Sequence, residues 1–528
     1  MQPRKENWTS QVGIILAVIG SAVGLGNYLR FPGQMALYGG IAFMIPYFVA
    51  LLLIGLPLAW TEWALGRYGG VRGHNSAPGI LRSVVNRRRV MYFGSLYAMM
   101  PAVIFTFYII VEGWCLAYAL YYAAGMMNLG PPQAYNEFFM NIAGVSENGN
   151  TLKAAFSHPT LLCIAVCFLL NFWLIYHGIN KGIERFCRWA LPALLICSVI
   201  IFIRVATLGN PTGIPGQSFF DGMKFVWSTA GSDKTILQHL ANPECWLAAA
   251  GQVFFSLSVG FGLVLTYASY LKAEDDVAAS SVTAVGSNSF IEVVFGGMMI
   301  VPAALMFLGY AALNKENLGS SFALGFQTLP SVFEMMPFGQ FFGFLFFALL
   351  FLAAVTSSIS MLQPSIALFE DGLGLKRKGS ILLLGGLLLA GTLFVLYFSK
   401  GLIAMDTFDF WIANVFIFIT ATFMIILFGW GLGIDTAMSE LNTGAQIRIP
   451  RFVRYLIKYI SPLFLLTIFT SWCWLNLPDR IGEIRNDTTV QLSIGVLILF
   501  ELFFLWVVSR AIKRWNEAEK SEGTPKTV

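Results

Sequence analysis

Ile19-Gly20-Ser21-Ala22-Val23-Gly24-Leu25-Gly26-Asn27-Tyr28-Leu29-Arg30-Phe31-Pro32 interrupts a hydrophobic helix in its middle. The stretch lies within one long apolar region, residues 11–66. Lipid offers no partner to backbone N–H and C=O groups, so unwound chain at that depth must be enclosed by protein or line a cavity. The same device returns at Ser256-Leu257-Ser258-Val259-Gly260-Phe261-Gly262. Val23-Gly24-Leu25-Gly26 and Val259-Gly260-Phe261-Gly262 share one pattern. Glycine-interrupted segments in corresponding places of two halves point to a carrier's binding site near the bilayer midplane.

Composition agrees with a membrane protein. Of 528 residues, 57% are hydrophobic and only 12% are charged, about half the charge of a soluble domain. About twelve segments reach spanning length. They lie near 11–38, 41–66, 90–124, 160–177, 187–207, 243–271, 278–310, 338–369, 380–399, 404–432, 454–476 and 489–511. The expectation is an all-α polytopic protein. A first repeat covers 1–207 with a loop at 125–158, and an outer loop covers 208–242. A second repeat covers 243–432, two peripheral helices 433–514, and a tail 515–528. Most Lys and Arg, among them Arg4, Arg87, Arg88, Arg89, Lys376, Arg377, Arg451 and Arg454, fall on the N-terminal side of these spans. The positive-inside rule therefore places both termini in the cytoplasm. MQPRKENW runs into the apolar region without a signal-peptide cleavage site.

The seven Cys sit mostly in apolar segments without a CxxC and read as small buried hydrophobes. The four His are scattered, none beside a break, so neither a metal site nor an enzyme's base is indicated.

Gly20 and Gly24 also form a GxxxG packing motif; the second break decides for unwinding. An interrupted helix bares N–H groups that suit an anion and carbonyls that suit Na⁺. Asn27 and Asn288 serve either as interhelical hydrogen bonds or as neutral oxygen ligands. The hydroxyls of Thr356-Ser357-Ser358 either bond back to their own helix or face a cation. Arg30 needs a purpose or partner within the membrane; Asp409 is the candidate and Asp406 the competitor. Glu62 is placed to accept hydrogen bonds from unwound backbone. Glu112 is a further acid within a span. Glu292, four residues after Asn288, shares its helix face.

GSAVGLGNYLRFP (20–32), GGIAFMIPY (39–47), EWALGRYGG (62–70), NKGIERF (180–186), GQVFFSLSVGFGLVLTYASY (251–270), LAAVTSSISMLQP (352–364) and DFW (409–411) appear in this order. Together they resemble the neurotransmitter:sodium symporter family, its bacterial leucine carriers in particular, over most of the chain. The resemblance implies ten core helices in two five-helix inverted repeats, with helices 1 and 6 unwound, plus two peripheral helices.

It also implies two Na⁺ ions. One would meet Ala22, Asn27, Ser256 and Asn288, and the other Gly20, Val23, Ala353, Thr356 and Ser357. The substrate would lie among Ala22, Leu25, Gly26, Ile104, Tyr108, Phe255, Ser256, Ser258, Phe261, Ser357 and Met361. Tyr108 and Phe255 would form the outer lid beneath Arg30 and Asp409. Lys5, Trp8, Ser269, Tyr270 and Asp371 would close the inner path, where Lys5 stands for the family's usual Arg. Gly182 and Pro192 match a spacing at which segment five unwinds.

Two departures bear on specificity. Gly24 stands where monoamine carriers have Asp, which favours a substrate with its own carboxylate. Glu292 stands where chloride-dependent members have Ser, near Tyr47, Gln252 and Ser256, and supplies the negative charge itself.

The reading is thus a chloride-independent, Na⁺-coupled symporter of neutral, mainly aliphatic or sulfur-containing L-amino acids, in a bacterial inner membrane. Its partners are the amino acid, the bilayer and a second copy of the chain, with no nucleic acid. The alternatives are a carrier of another small zwitterion or an aromatic amino acid, then a channel or sensor of the same fold. Gates on both sides favour the carrier.

Overall fold

The first apolar segment starts at Gln11–Ala22 (α1), where the Ser10 side chain accepts the Gly13 N–H as an N-cap. Val23 is extended, at φ −76° and ψ 92°. The chain resumes as a helix over Gly26–Leu37, bent 46° from the first part. This computed structural model describes residues 7–145, 160–229, 234–310 and 321–522.

The remaining spans follow in chain order: α2 Ile41–Val71, α3 Arg88–Ala123, α4 Thr160–Tyr176 and α5 Ile179–Thr207. The counterpart of α1 is α6. It opens at Pro243–Leu257 with Asn242 capping the Glu244 N–H and Pro243 in the first turn, where its missing N–H is harmless. It stops at Ser258, in the left-handed region at φ 55°, and resumes over Leu263–Ala268. Then come α7 Val277–Leu308, α8 Gly339–Leu373, α9 Arg377–Tyr397, α10 Lys400–Gly431, α11 Val453–Asn486 and α12 Thr488–Lys520. The twelve expected segments are therefore all present.

The two breaks use glycine differently. Gly260 and Gly262 sit at φ 94° and 87°, conformations that cost little only without a Cβ. Gly24 has no such φ; its need is for space, described below.

Burial sorts the spans. Among the apolar windows, 89% of α3, 78% of α7 and 72% each of α8 and α10 are enclosed by protein, against 28% for α11 and 33% for α12. The most extensive helix pair is α3 with α8. Both breaks lie inside this core. The long connections carry short helices at Pro132–Ala143, Phe219–Val226, Ile236–Leu240 and Leu329–Met335.

Candidate functional site

The two breaks meet on one atom. The hydroxyls of Ser258, in the α6 break, and Ser357, on α8, both donate to the Ser21 carbonyl at 3.0 Å. That carbonyl belongs to the last turn of α1, where no intrahelical donor reaches it. On α2, the buried Glu62 carboxylate accepts the Gly260 N–H at 2.8 Å, so the second break is held by a side chain. The Leu25 N–H in the first break donates to the Tyr108 hydroxyl at 3.4 Å. A Cβ on Gly24 would stand 2.7 Å from Ser357 Oγ and 3.1 Å from Tyr108 Oη. Gly24 thus lets α1, α3 and α8 converge.

Beside this junction lies a cluster of oxygens. Asn27 donates its amide to Asn288 Oδ1 at 2.9 Å and accepts the Gly24 N–H at 3.0 Å. The same Asn288 atom stands 3.2 Å from both the Ala22 and the Ser256 carbonyl oxygens. Three acceptors facing one another repel. Turning the Asn288 amide over gives those carbonyls a donor, but sets two amide nitrogens face to face. In either orientation the Ala22 and Ser256 carbonyls and the Asn27 and Asn288 amides gather neutral oxygens of the kind that Na⁺ takes.

Glu292 places a carboxyl group one hydrogen bond away. Its carboxylate accepts from the hydroxyl of Tyr47, from Gln252 at 2.5 Å and from the Ser256 hydroxyl at 3.2 Å. All four residues are buried or nearly so. Gln252 also donates to the Gly26 carbonyl at 3.2 Å, which ties the carboxylate's shell to the first break.

On the other side of α1, Gly20 faces Thr356: a Gly20 Cβ would lie 3.4 Å from Thr356 Cβ. Thr356 donates to the Leu352 and Ala353 carbonyls at 3.1 and 3.0 Å, and Ser357 to Ala353 at 3.0 Å. The Thr356 hydroxyl therefore bonds back to α8, the helix-bound reading, whereas that of Ser357 lies between the Ala353 carbonyl and the Ser21 carbonyl of α1. Val23 is buried.

Above the junction opens a cavity of about 250 Å³, whose lining includes Leu25, Gly26, Arg30, Tyr108, Phe255 and Asp409. Ile104, Ser258, Phe261, Ser357 and Met361 do not line it; all five are buried in the core.

The profile of the Sodium:neurotransmitter symporter family matches residues 5–132 and 134–483. The chain belongs to that family. An uncharacterized sodium-dependent transporter of Methanocaldococcus jannaschii is 29% identical over 97% of this chain and 99% of its own. A sodium-dependent serotonin transporter of Drosophila melanogaster is 26% identical, covering 91% and 78%. The crystal structure of MhsT in complex with L-phenylalanine superposes with a TM-score of 0.74 at 27% identity, over 89% of this chain and all of MhsT. This symporter is thus a multi-pass, sodium-dependent membrane transporter with the fold of MhsT.

The two sides of the symporter differ. On the face that carries the chain ends, Trp8 donates to the Tyr267 carbonyl at 2.9 Å and packs edge-on against its ring. Gln363 donates to Tyr270, and Ser269 to the Thr266 and Asn75 carbonyls. That path is closed. On the opposite face Arg30 and Asp409 flank the cavity without forming the expected ion pair. Arg30 instead lies 5.3 Å from the Phe255 ring centre and reaches the Gly251 carbonyl. The cavity lies between the pair, on the face opposite the closed path.

Lys5 lies outside the described residues. Its expected partner Asp371 accepts the Ser76 hydroxyl at 2.6 Å and the Trp515 indole N–H at 3.3 Å. Sequence reasoning missed Trp515 because nothing in the tail marks it as a partner of α8. It also gave no role to Asn171, a lone amide in an apolar helix, which joins Glu112 and Ser358 at 2.9 and 2.8 Å. The polarity of Asn171 was the available signal.

Proposed function

We propose that this symporter carries neutral L-amino acids, mainly aliphatic or sulfur-containing, together with two Na⁺ ions and without chloride, by alternating access. The observation that carries the reading is the oxygen cluster of Ala22, Ser256 and Asn288 beside the Glu292 carboxylate, where both helix breaks meet. The N–H groups of Leu25 and Gly26 would receive the substrate carboxylate, whose charge also attracts the first Na⁺. Gly24 offers the amine no acid, so a substrate bringing its own carboxylate fits. The side-chain positions Ile104, Phe261 and Met361 are apolar, and methionine adapts to varied shapes.

An aromatic amino acid is the second reading, supported by the L-phenylalanine bound to MhsT. The Lys and Arg bias towards the side of the N-terminus supports cytoplasmic termini, and the reading takes the membrane to be a bacterial inner membrane. Residues 1–207 and 243–432 act as the two inverted halves.

The test is uptake of radiolabelled alanine, leucine, methionine and phenylalanine in proteoliposomes, in Na⁺, Li⁺ or K⁺ at equal ionic strength, with unlabelled competitors. Uptake confined to Na⁺ and blocked by neutral amino acids is expected. Full uptake in K⁺, or tight competition by glutamate or lysine, overturns the reading.

A further inference from the structure

Between α10 and α11 the chain forms a short helix, Ile434–Asn442, and a loop that enters α11 at Val453. Asn442, Thr443, Arg448, Arg451 and Arg454 converge there on a cavity of about 470 Å³, with Asp435 as the acid in its lining. Asp435 is paired with Arg454 at 2.9 Å. Arg448 and Arg451 have no carboxylate partner among the described residues. Three guanidinium groups and several hydroxyl or amide groups at one hollow form an anion site, and a planar guanidinium suits phosphate oxygens in particular.

The site is pre-formed. The fully buried Arg67 of α2 pairs with Glu440 at 2.9 Å and donates to the Thr443 carbonyl at 2.9 Å. The Gln446 N–H donates to Asp276 at 2.9 Å, and the Ile449 N–H to Asn442 at 2.8 Å. The loop therefore does not need to order when a ligand arrives, which favours binding.

Aromatic side chains beside the hollow fit the level of the bilayer interface. Lys458, on the first turns of α11, sits 4.7 Å from the Trp430 ring centre and 5.6 Å from that of Tyr459. Trp and Tyr of this kind mark the headgroup level. Ile447 and Phe452, beside the arginines, are 78% and 67% exposed. Free phosphate in water gives no reason for these apolar neighbours, whereas an acyl chain does.

We propose that this hollow binds the headgroup phosphate of an anionic phospholipid, from the leaflet on the side of the chain ends. Because Arg67 and Asp276 clamp the same loop to α2 and to the start of α7, the bound lipid braces the closed face of the symporter. The inference is independent of the amino acid carried.

The test measures phosphatidylglycerol binding to the purified full-length protein in detergent by native mass spectrometry, with phosphatidylcholine as reference. Arg448→Gln with Arg451→Gln is expected to weaken phosphatidylglycerol binding by about tenfold or more, since each cation contributes separately. Arg87→Gln with Arg88→Gln, an equal loss of charge at another exposed site on the same face, is expected to leave it within about twofold. Equal losses in both double variants mean diffuse surface charge and overturn the proposal. Displacement of the lipid by inorganic phosphate at matching concentration assigns the hollow to free phosphate and overturns it as well. If the Gln pair fails to fold, Arg448→Lys with Arg451→Lys decides. That pair keeps the charge but loses the two-pronged bond, so it should bind more weakly than wild type, and unchanged binding overturns the proposal.

Discussion

The Ser256 hydroxyl donates to the Glu292 carboxylate at 3.2 Å, while the Ser256 carbonyl stands 3.2 Å from the Asn288 amide. One residue thus touches both the Glu292 carboxyl group and the oxygen cluster. In a low-dielectric interior a cation and a carboxylate at this spacing stabilise each other strongly. On the proposed function, the Glu292 carboxylate takes the place of a bound chloride.

Uptake should therefore be unchanged when chloride is replaced by gluconate. Glu292→Ser removes the carboxylate but leaves Tyr47, Gln252 and Ser256 as donors around the gap, so uptake by that variant should come to depend on chloride. The comparison is initial uptake rate in chloride and gluconate for both proteins. A wild type that loses activity in gluconate, or a Glu292→Ser variant indifferent to chloride, would refute the assignment.

Asn27→Ala and Thr356→Ala act on different oxygen sets and should each raise the half-saturating Na⁺ concentration. Loss of one neutral ligand or its hydrogen bond is worth about 1–1.5 kcal/mol, or roughly fivefold to tenfold in affinity. Sodium titrations of uptake check this. Two variants with wild-type titrations would show that these residues hold helices together and no ion.

Glu62→Ala leaves the Gly260 N–H buried without an acceptor and should destabilise the protein by about 1–3 kcal/mol. Glu62→Gln retains an oxygen for that N–H and should be milder. Thermal unfolding in detergent ranks the three proteins. Equal stability of Glu62→Ala and wild type would mean that the α6 break is held by other contacts.

Gly24→Ala places a methyl group 2.7 Å from Ser357 Oγ. Either Ser357 turns away from the Ser21 carbonyl or α1 shifts, and a shift of this size at a binding site costs about tenfold or more in uptake. Membrane expression should stay near normal, because the clash is local. Gly24→Asp should lose more, since it forces a larger, charged side chain into the same close approach. Normal uptake by Gly24→Ala would show that α1 and α8 do not need this approach.

What the sequence determined by itself follows from short-range physics. Apolar length places the twelve spans, and paired Gly-rich interruptions locate both breaks, because lipid tolerates no unpaired backbone. Glu62 was legible as a partner for unwound chain, since an acid at that depth requires donors, and the Gly260 N–H is one of them. Asn288 and Glu292 share a face by their spacing alone.

Only the tertiary structure decided which groups meet across the bundle. Ser258 and Ser357 are 99 positions apart in the sequence, yet both reach the Ser21 carbonyl because α6 and α8 pack on the end of α1. The separation of Arg30 from Asp409 depends on a conformation, which no local pattern encodes. Arg67, read only as part of a motif, proves to be the buried clamp of the α10–α11 loop. Such pairings are set by which helix faces share a core, and periodicity within a single helix specifies only that a face is buried, never the residue that covers it.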